Sequence, residues 1–544
     1  MSNQWQGRKG VTAIALFLAA LCGGICLFAV DANAEVLYNG INLPKPWPPA
    51  DRPPTREPMP LPYLEQPPEV VPIDVGRQLF VDDFLIEQTD LRRVYHNARY
   101  IPGNPVLKPD KPWEMDTDSQ GKAAPTAMPF SDGVWFDPKD NLFKMWYMGG
   151  YVKTTCYAES HDGITWEKPE LDVVPGTNIV QQVKRDSNVV WLDLNEKDPQ
   201  RRFKMVEYAL EQKKCLSFYF SPDGIHWTDT GVRSGPTGDR STAFFNPFRN
   251  VWVYSIRAYD PATVGRYRRY WEHPDFLAGA RWEEGQPPFW VGADTLDPQR
   301  TELATPCELY NLDATAYESV LIGLFDIWRG QPQDRAKPNE LCIGFSRDGF
   351  HWSRPSHEPF IPVSETPGDW NWANVQSSGG CCLVVGDLLY FYVSGRLGVP
   401  GSPASGVCST GLATLRRDGF ASMEAGETPG VLTTRPLRFS GRHLFVNAAA
   451  KDGELRVEIL GEDDKPLGPY TREGCVPVST DTTRSRVQWQ EADSVADLAG
   501  QTIRFRFHLR NGALFSFWVS PSESGASNGY VAAGGPGFTG HTDI

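Results

Sequence analysis

Three acidic residues occupy nearly the same place in three successive segments, each close to the start of an apolar, β-rich run. They are Asp132, Asp186 and Asp239. Counting back from the turn that ends each run predicts that the three carboxylates share one strand face. Carboxylates crowded in a partly desolvated site repel one another, so at least one is expected to hold its proton near neutral pH. A protonated acid beside an ionised carboxylate is the combination that hydrolysis of a glycosidic bond requires.

A repeated motif predicts the elements that must position these acids. It has the form Ser-x-Asp-Gly-x-x-Trp and stands at Ser160–Trp166, Ser221–Trp227 and Ser346–Trp352, with a weaker copy at Arg416–Ser422. An Asp-Gly pair between two β-rich runs predicts a tight hairpin, because Asp caps the turn and Gly adopts positive φ. Each motif therefore indicates a hairpin in a repeating β structure.

The period of the motif predicts the architecture. Successive copies are about 60 residues apart, except for one step of about twice that length, where Trp271–Trp282 takes the place of a decayed copy. A second hairpin precedes each copy, so each unit has four antiparallel strands, which is the content of one propeller blade. The chain is therefore predicted to be all-β, with a five-bladed β-propeller over residues 78–428, followed by a small β-sandwich.

The first 34 residues are typical of a secretory signal peptide. Arg8 and Lys9 precede the apolar run Val11–Val30, and Ala32-Asn-Ala34 resembles a cleavage site. We therefore expect a secreted or periplasmic protein. The apolar run is also long enough to span a bilayer, so an uncleaved N-terminal anchor is the alternative.

Three further segments differ from the propeller in composition. Residues 35–77 are rich in proline and are predicted to be an extended linker or a wrap. Residues 429–520 alternate apolar and polar side chains without the motif, which favours the β-sandwich. Residues 521–544 are rich in Gly and Ser and are predicted to be disordered.

Composition narrows the choice of partners. The chain has 544 residues and a net charge of −14, which argues against nucleic acid or an acidic lipid surface as a partner. No Cys or His spacing typical of zinc is present, so we predict neither a metal nor a cofactor.

The predicted architecture and its acids resemble the propeller enzymes of glycoside hydrolase families 32 and 43, the invertase and arabinanase-like clan. In family 32 the nucleophile lies in N-D-P-N-G, a stabilising Asp in R-D-P and the acid in E-C-P. Asp132 stands at the first of these places, Asp239 at the second with Arg240 after it, and Glu308 at the third with Cys307 before it.

The resemblance implies a carbohydrate substrate, a plant, algal or microbial polysaccharide or its oligosaccharides. Asp132 would be the nucleophile or general base, Asp239 the stabiliser and Glu308 the general acid. Four other polar residues near the strand starts are predicted to bind the sugar: Asp186, Arg240, Asn311 and Gln376.

Several alternatives stay open at this stage. Asp186 competes with Asp239 for the stabilising role, and Asp313 and Glu318 compete with Glu308. A propeller that binds a glycan or a protein without catalysis needs only the fold and a polar axis. A sialidase-like hydrolase fits less well, because the sialidase motif has a residue between Asp and Gly, and sialidases have six blades.

Overall fold

The computed structural model describes residues 35–212 and 214–544, so the predicted signal peptide lies outside the described residues. The predicted all-β class is confirmed. Within the described residues, the helical elements are one short α-helix, Pro62–Glu65, and the 3₁₀ turns Pro112–Glu114, Pro199–Arg201, Ala278–Ala280 and Ala496–Leu498. In this part of the chain, no helix has the length and apolar character needed to cross a membrane.

Five antiparallel sheets form the blades of the predicted propeller. Blade one contains Ala127–Asp137, Leu142–Gly149, Thr154–Ser160 and Ile179–Gln181. Blade two contains Arg185–Leu192, Phe203–Ala209, Ser217–Ser221 and Thr228–Arg233. Blade three contains Thr242–Asn246, Val251–Asp260, Gly265–His273 and Phe289–Gly292. Blade four contains Glu308–Glu318, Val320–Trp328 and Asn339–Ser346. Blade five contains Asn374–Ser377, Leu383–Val385, Leu388–Arg396, Cys408–Arg416 and Arg99–Tyr100.

The strand that closes the ring differs from the predicted one. We expected the segment that begins at Gln78 to join the last blade, but Gln78–Leu79 pairs with a sandwich strand, and Arg99–Tyr100 is the outer strand of blade five. Ile86–Thr89 and Arg92–Tyr95 also belong to the sandwich sheets. The propeller therefore begins near residue 99 rather than at 78, because the apolar side chains of the earlier segment complete the sandwich core.

The motif turns have the local geometry that the sequence predicts. In Ser160–Trp166, Gly163 has φ +73°, and one oxygen of Asp162 accepts from two backbone N–H groups, both at 2.7 Å. The same turn also contacts the neighbouring blade, because the Tyr392 hydroxyl donates to the Gly163 carbonyl at 2.5 Å. In the second copy, the Trp146 indole of blade one donates to the Gly224 carbonyl at 2.6 Å. The motif therefore joins adjacent blades as well as forming a turn.

The small β-sandwich is confirmed, and both of its sheets include strands from before the propeller. One sheet contains Asp481–Arg486, His443–Ala449, Gly512–Ser520, Ala421–Ala425, Arg92–Tyr95 and Gln78–Leu79. The other contains Glu454–Leu460, Arg504–Arg510, Gly430–Thr434 and Ile86–Thr89. The short strands Val71–Pro72 and Leu437–Arg438 pair in parallel beside them. Alternating apolar residues of both sheets form a core separate from that of the propeller.

The proline-rich segment 35–77 wraps over blades three and four and also packs its apolar side chains against the sandwich core. Tyr38 stacks on Phe248 with ring centroids 4.2 Å apart. Farther along, the Arg56 guanidinium donates to the Cys307 carbonyl at 2.7 Å. The prolines keep the segment extended, so its backbone groups and side chains bind the surface of the blades.

The segment 521–544 is ordered, contrary to the prediction from its composition. Tyr530–Val531 pairs with the end of the innermost strand of blade four, and Val531 is buried. Asp543 forms an ion pair with Arg417 at 3.1 Å. The small residues that suggested disorder instead allow close backbone approach, since a Cβ on Gly535 would lie 1.8 Å from the Val384 carbonyl oxygen.

A buried charge network joins the two domains at the same end of blade four. Arg77 pairs with Asp418 at 3.0 Å and with Glu318 at 3.4 Å, and Arg417 pairs with Glu318 at 3.0 Å. Tyr317 and side chains of the sandwich also donate to Asp418. Glu318 is therefore a structural residue far from the strand starts, and not an alternative general acid.

Candidate active site

The innermost strands of the five blades begin at one end of the propeller axis, which we call the mouth. Arg185, Glu308 and Asn374 are first residues of such strands, and Asp239 lies three residues before another, which begins at Thr242. The structure thus brings the predicted acids to one region, but it gives them different environments.

Asp132 lies below the mouth and is fully buried. Arg185 of blade two binds both of its oxygens, with Nη1 to Oδ1 at 2.8 Å and Nη2 to Oδ2. Burial raises the pKa of Asp132 to about 6, and the Arg185 guanidinium limits that rise. With both oxygens engaged and no exposed surface, Asp132 is placed to hold blades one and two together rather than to attack a sugar.

In blade one, a β-bulge interrupts the strand, so Asp132 does not lie on the strand face that the sequence predicts. The pairing of Ala127–Asp137 with its neighbour shifts register between Met128 and Gly133, and Ser131 has φ +64°. Counting residues back from the turn assumes regular alternation, and an inserted bulge residue breaks it. The side chain of Asp132 is consequently directed toward Arg185.

Asp186 and Asp239 form the carboxylate pair at the mouth. Both are half-buried, and the Asp239 side chain keeps 46% of its surface exposed. The Ser187 hydroxyl donates to the Asp239 carbonyl at 2.6 Å, which ties the two strand starts together. Burial raises the pKa of Asp186 to about 6, and the charge of Asp239 adds to the rise. Arg257 lies 3.5 Å from the Asp239 carboxylate. The raised pKa thus favours a proton on Asp186, beside the carboxyl group of Asp239.

Glu308 lies at the rim, where it contacts blade three. Its Oε2 accepts from the backbone N–H of Arg266 at 3.1 Å and from the guanidinium of the same residue. Both contacts fix Glu308 against the neighbouring blade. This predicted general acid is therefore not part of the pair formed by Asp186 and Asp239.

A polar network fills the axis beneath the mouth, and it includes Asn311 and Asp313. Asp313 Oδ2 accepts from the hydroxyls of Ser131 at 2.8 Å and Ser377 at 2.6 Å, and from the Asn311 amide at 3.0 Å. Asn311 also donates to Ser131 at 2.9 Å. Burial raises the pKa of Asp313. These residues, predicted as ligands or acids, form the floor of the site.

Arg240 links this floor to a residue that sequence reasoning missed. Its Nη2 lies 3.3 Å from Asp326, and its guanidinium stacks 3.8 Å above the ring of Phe130. Burial raises the pKa of Asp326 to about 7, which Arg240 opposes. A charged residue inside the apolar strand Val320–Trp328 was a readable signal, because such residues are rarely buried without a partner.

Gln376 is buried in blade five, close to the same floor. Its amide donates to Asn374 Oδ1 at 2.6 Å, and Asn374 in turn donates to the Lys337 carbonyl at 2.9 Å. Gln376 therefore supports a loop at the mouth instead of presenting its amide to solvent.

Three further residues at the mouth were not predicted. The Lys337 ammonium donates to the Tyr310 hydroxyl at 2.7 Å, and Arg396 lines the same cavity as Lys337. Burial raises the pKa of Tyr310, but the charge and hydrogen bond of Lys337 and the charge of Arg396 together lower it by more, so the net pKa is lowered. Lys337 lies in an irregular loop, where no sequence period could have revealed it.

One group outside the mouth has ligand types that suit a metal ion. Asp294, Asp297 and His357 place side-chain ligand atoms within 4.8 Å of one another. Arg354 already binds Asp297 at 2.9 Å and lies 3.6 Å from Asp294. The permanent positive charge of its guanidinium therefore balances the charge of the two carboxylates. This cluster is an ion-pair network on the outside of the blades.

Comparison with known proteins gives fold-level likeness only. No protein-family model and no curated protein matches the sequence. Similar solved structures include a putative glycoside hydrolase from Bacteroides ovatus, with 14% identity, a TM-score of 0.37, and coverage of 60% of this chain and 98% of that one. A fructofuranosidase from Schwanniomyces occidentalis in complex with fructosylnystose has 9% identity and a TM-score of 0.33, covering 78% and 96%. An exo-β-1,3-galactanase from Phanerochaete chrysosporium with galactose has 10% identity and a TM-score of 0.34, covering 78% and 99%.

Proposed function

We propose that the protein is an exported glycoside hydrolase whose catalytic carboxylates are Asp186 and Asp239. The observation that carries the proposal is this half-buried pair at the mouth of the propeller axis, held together by Ser187. The resemblance to families 32 and 43, drawn from the sequence, supports the same reaction class.

The environments of the two carboxyls suggest their roles. Asp186 is the general acid, because burial and the neighbouring negative charge raise its pKa to about 6 and favour the protonated form. It would donate that proton to the leaving glycosidic oxygen. Asp239 is the second catalytic group, since its side chain keeps 46% of its surface exposed and faces the guanidinium of Arg257. It would act on the opposite side of the sugar as nucleophile or as the base for water.

The catalytic test is release of reducing sugar from fructans, arabinans, xylans and galactans by the protein and its variants. Asp186→Asn and Asp239→Asn are expected to lower kcat at least about 100-fold while the fold is kept. The matched control is Asp452→Asn, an exposed acid on the sandwich, which should leave the rate unchanged. Full activity in either site variant would refute the assignment.

A second substrate separates the two roles. Aryl glycosides with an acidic phenol as leaving group need no proton from the enzyme. Asp186→Asn should therefore retain most of its activity on them, whereas Asp239→Asn should lose activity on both kinds of substrate. Proton NMR of the first-formed anomer then tells whether Asp239 acts as nucleophile or as base. Binding of a glycan without any release of sugar would favour a non-catalytic propeller.

Export requires its own test. The sequence of residues 1–34 is the support for it. N-terminal sequencing of the protein recovered outside the cytoplasm should give a start near Glu35, whereas retention of the first residues in a membrane fraction would favour an anchor.

A further inference from the structure

A polar cavity of about 300 Å³ lies at the mouth, and the charge of one of its lining residues, Lys337, acts on Asp186. Two of the residues that line it carry a positive charge, Lys337 and Arg396, and Tyr151 and Ser405 contribute hydroxyl groups. The side chain of Asn374 binds the Lys337 carbonyl at 2.9 Å, and Asn374 is also the ladder partner of Arg396. The two cations are thus held by the same strand pair of blade five.

Arg396 is the more unusual of the two, because it is buried without an acid. It is 4% exposed, and its polar contacts are Nη1 to Ser405 Oγ at 3.0 Å and to the Tyr151 hydroxyl at 3.4 Å. Its Nε is buried without a hydrogen-bond partner. In contrast, the buried Arg185 and Arg347 each bind a carboxylate. A buried guanidinium without a counter-charge is costly, so a ligand that supplies the charge would be strongly favoured.

Lys337 is half-buried, and its contacts also leave its charge unbalanced. Its ammonium contacts the Tyr310 hydroxyl at 2.7 Å and lies 4.5 Å from the centre of that ring. Within residues 35–212 and 214–544, neither Lys337 nor Arg396 forms an ion pair with an acidic side chain. The charge of Lys337 does act on Asp186: it lowers the pKa of that carboxyl, although burial has the larger, opposite effect. The free cation therefore lies beside the proposed general acid.

One acid, Asp118, lines the same cavity, but its oxygens accept hydrogen bonds from its own loop and from the loop that contains Ser405. Asp118 Oδ1 accepts from the backbone N–H groups of Gln120 at 2.9 Å and Lys122 at 3.0 Å. Its Oδ2 faces the backbone N–H of Ser405 at 3.4 Å. The cavity is thus locally basic in a protein whose net charge is −14.

We propose that this cavity is a subsite for an oxyanion carried by the sugar chain, either the carboxylate of a uronic acid or a sulfate ester. The proposal deepens the proposed function and rests on it for the statement that the ligand is a glycan. Lys337 and Arg396 would bind the oxyanion, and the hydroxyls of Tyr151 and Ser405 would complete its hydrogen bonds. The preferred substrate would then be an acidic polysaccharide.

The test is calorimetric titration with two pairs of probes. One pair is oligogalacturonate and its carboxyl-reduced form, and the other is a sulfated galactan oligosaccharide and its desulfated form. At least one anionic probe should bind about 10-fold more tightly than its neutral counterpart, since a hydrogen bond to a charged group is about twice as strong as a neutral one. Which pair shows the preference distinguishes carboxylate from sulfate.

The variants locate the preference. Lys337→Gln and Arg396→Gln should each remove most of it, while Lys451→Gln, an exposed lysine on the sandwich, should keep it. Should Arg396→Gln fail to fold, Lys337→Gln in its surface loop still decides. Equal affinity for charged and neutral probes, or a preference that survives Lys337→Gln, would overturn the subsite.

Sugar release measured on the same samples separates the two proposals. Charge-dependent binding without cleavage of any probe would contradict the hydrolase and leave the subsite standing. Cleavage of neutral glycans with no preference for charge would support the hydrolase and contradict the subsite.

Discussion

The ion pair between Asp132 and Arg185 offers a quantitative test of the structure. Arg185→Met would leave the Asp132 carboxylate buried without its bidentate partner. Removing one member of a buried pair costs about 3–5 kcal/mol of unfolding free energy. A propeller running from Arg99 to Arg416 has an unfolding entropy of roughly 0.7 kcal/mol per kelvin, so Tm should fall by about 4–8 °C at pH 7.

The assay is differential scanning calorimetry at pH 7 and pH 5. The folded-state pKa of Asp132 is raised to about 6, above its value in the unfolded chain, so the folded state gains stability from protonation as pH falls through 6. In Arg185→Met the carboxyl is neutral at pH 5 and no uncompensated charge remains. The Tm difference between the variant and the parent should therefore shrink at the lower pH.

Two further variants set the limits of this test. Arg92→Met removes an ion pair whose arginine is 74% exposed, so its Tm should change little. The double variant Arg185→Met/Asp132→Leu removes both charges and should recover most of the lost stability. A fall in Tm below about 1 °C for Arg185→Met at pH 7, or a fall that is equal at both pH values, would refute the reasoning.

Three other outcomes follow from the site and the packing. The alkaline limb of the pH profile of kcat/KM should lie near pH 6, where Asp186 loses its proton. Lys337→Gln should move this limb to higher pH, because a charge that lowers the pKa of Asp186 is removed. A limb that stays in place would contradict the assignment of Asp186 as the acid. Gly224→Ala should lower Tm more than Gly176→Ala, because both glycines have positive φ but only at Gly224 would a Cβ meet Trp146, at 2.3 Å; equal shifts would mean that the indole yields. Deleting residues 521–544 should lower Tm by exposing the inner edge of blade four, and an unchanged calorimetric transition would show that the strand there contributes nothing.

The sequence was most informative where structure is local. The hairpin of Ser160–Trp166 depends on contacts within three residues of Asp162, so its residue types suffice to predict it. The spacing of such turns then predicts the blade number, because each blade repeats the same strand pattern. The region in which the acids meet followed from the same argument.

Long-range partners were not accessible in this way. Asp132 and Asp186 stand in similar sequence surroundings, but a bulge directs Asp132 toward the guanidinium of Arg185, which binds it below the mouth. Lys337 reaches the mouth from a loop that has no periodic pattern. The order of the last segment was also hidden, because Gly535 and its neighbours look flexible until their partner, the edge of blade five, is in place.

The pairing of early and late strands bears on the order in which this protein folds during synthesis. Blade five is incomplete without Arg99–Tyr100, blade four gains its last strand from Tyr530–Val531, and both sandwich sheets take strands from before the propeller. Neither domain is complete until nearly the whole chain has left the ribosome. The final assembly is thus a late, cooperative event rather than the sequential folding of two independent domains.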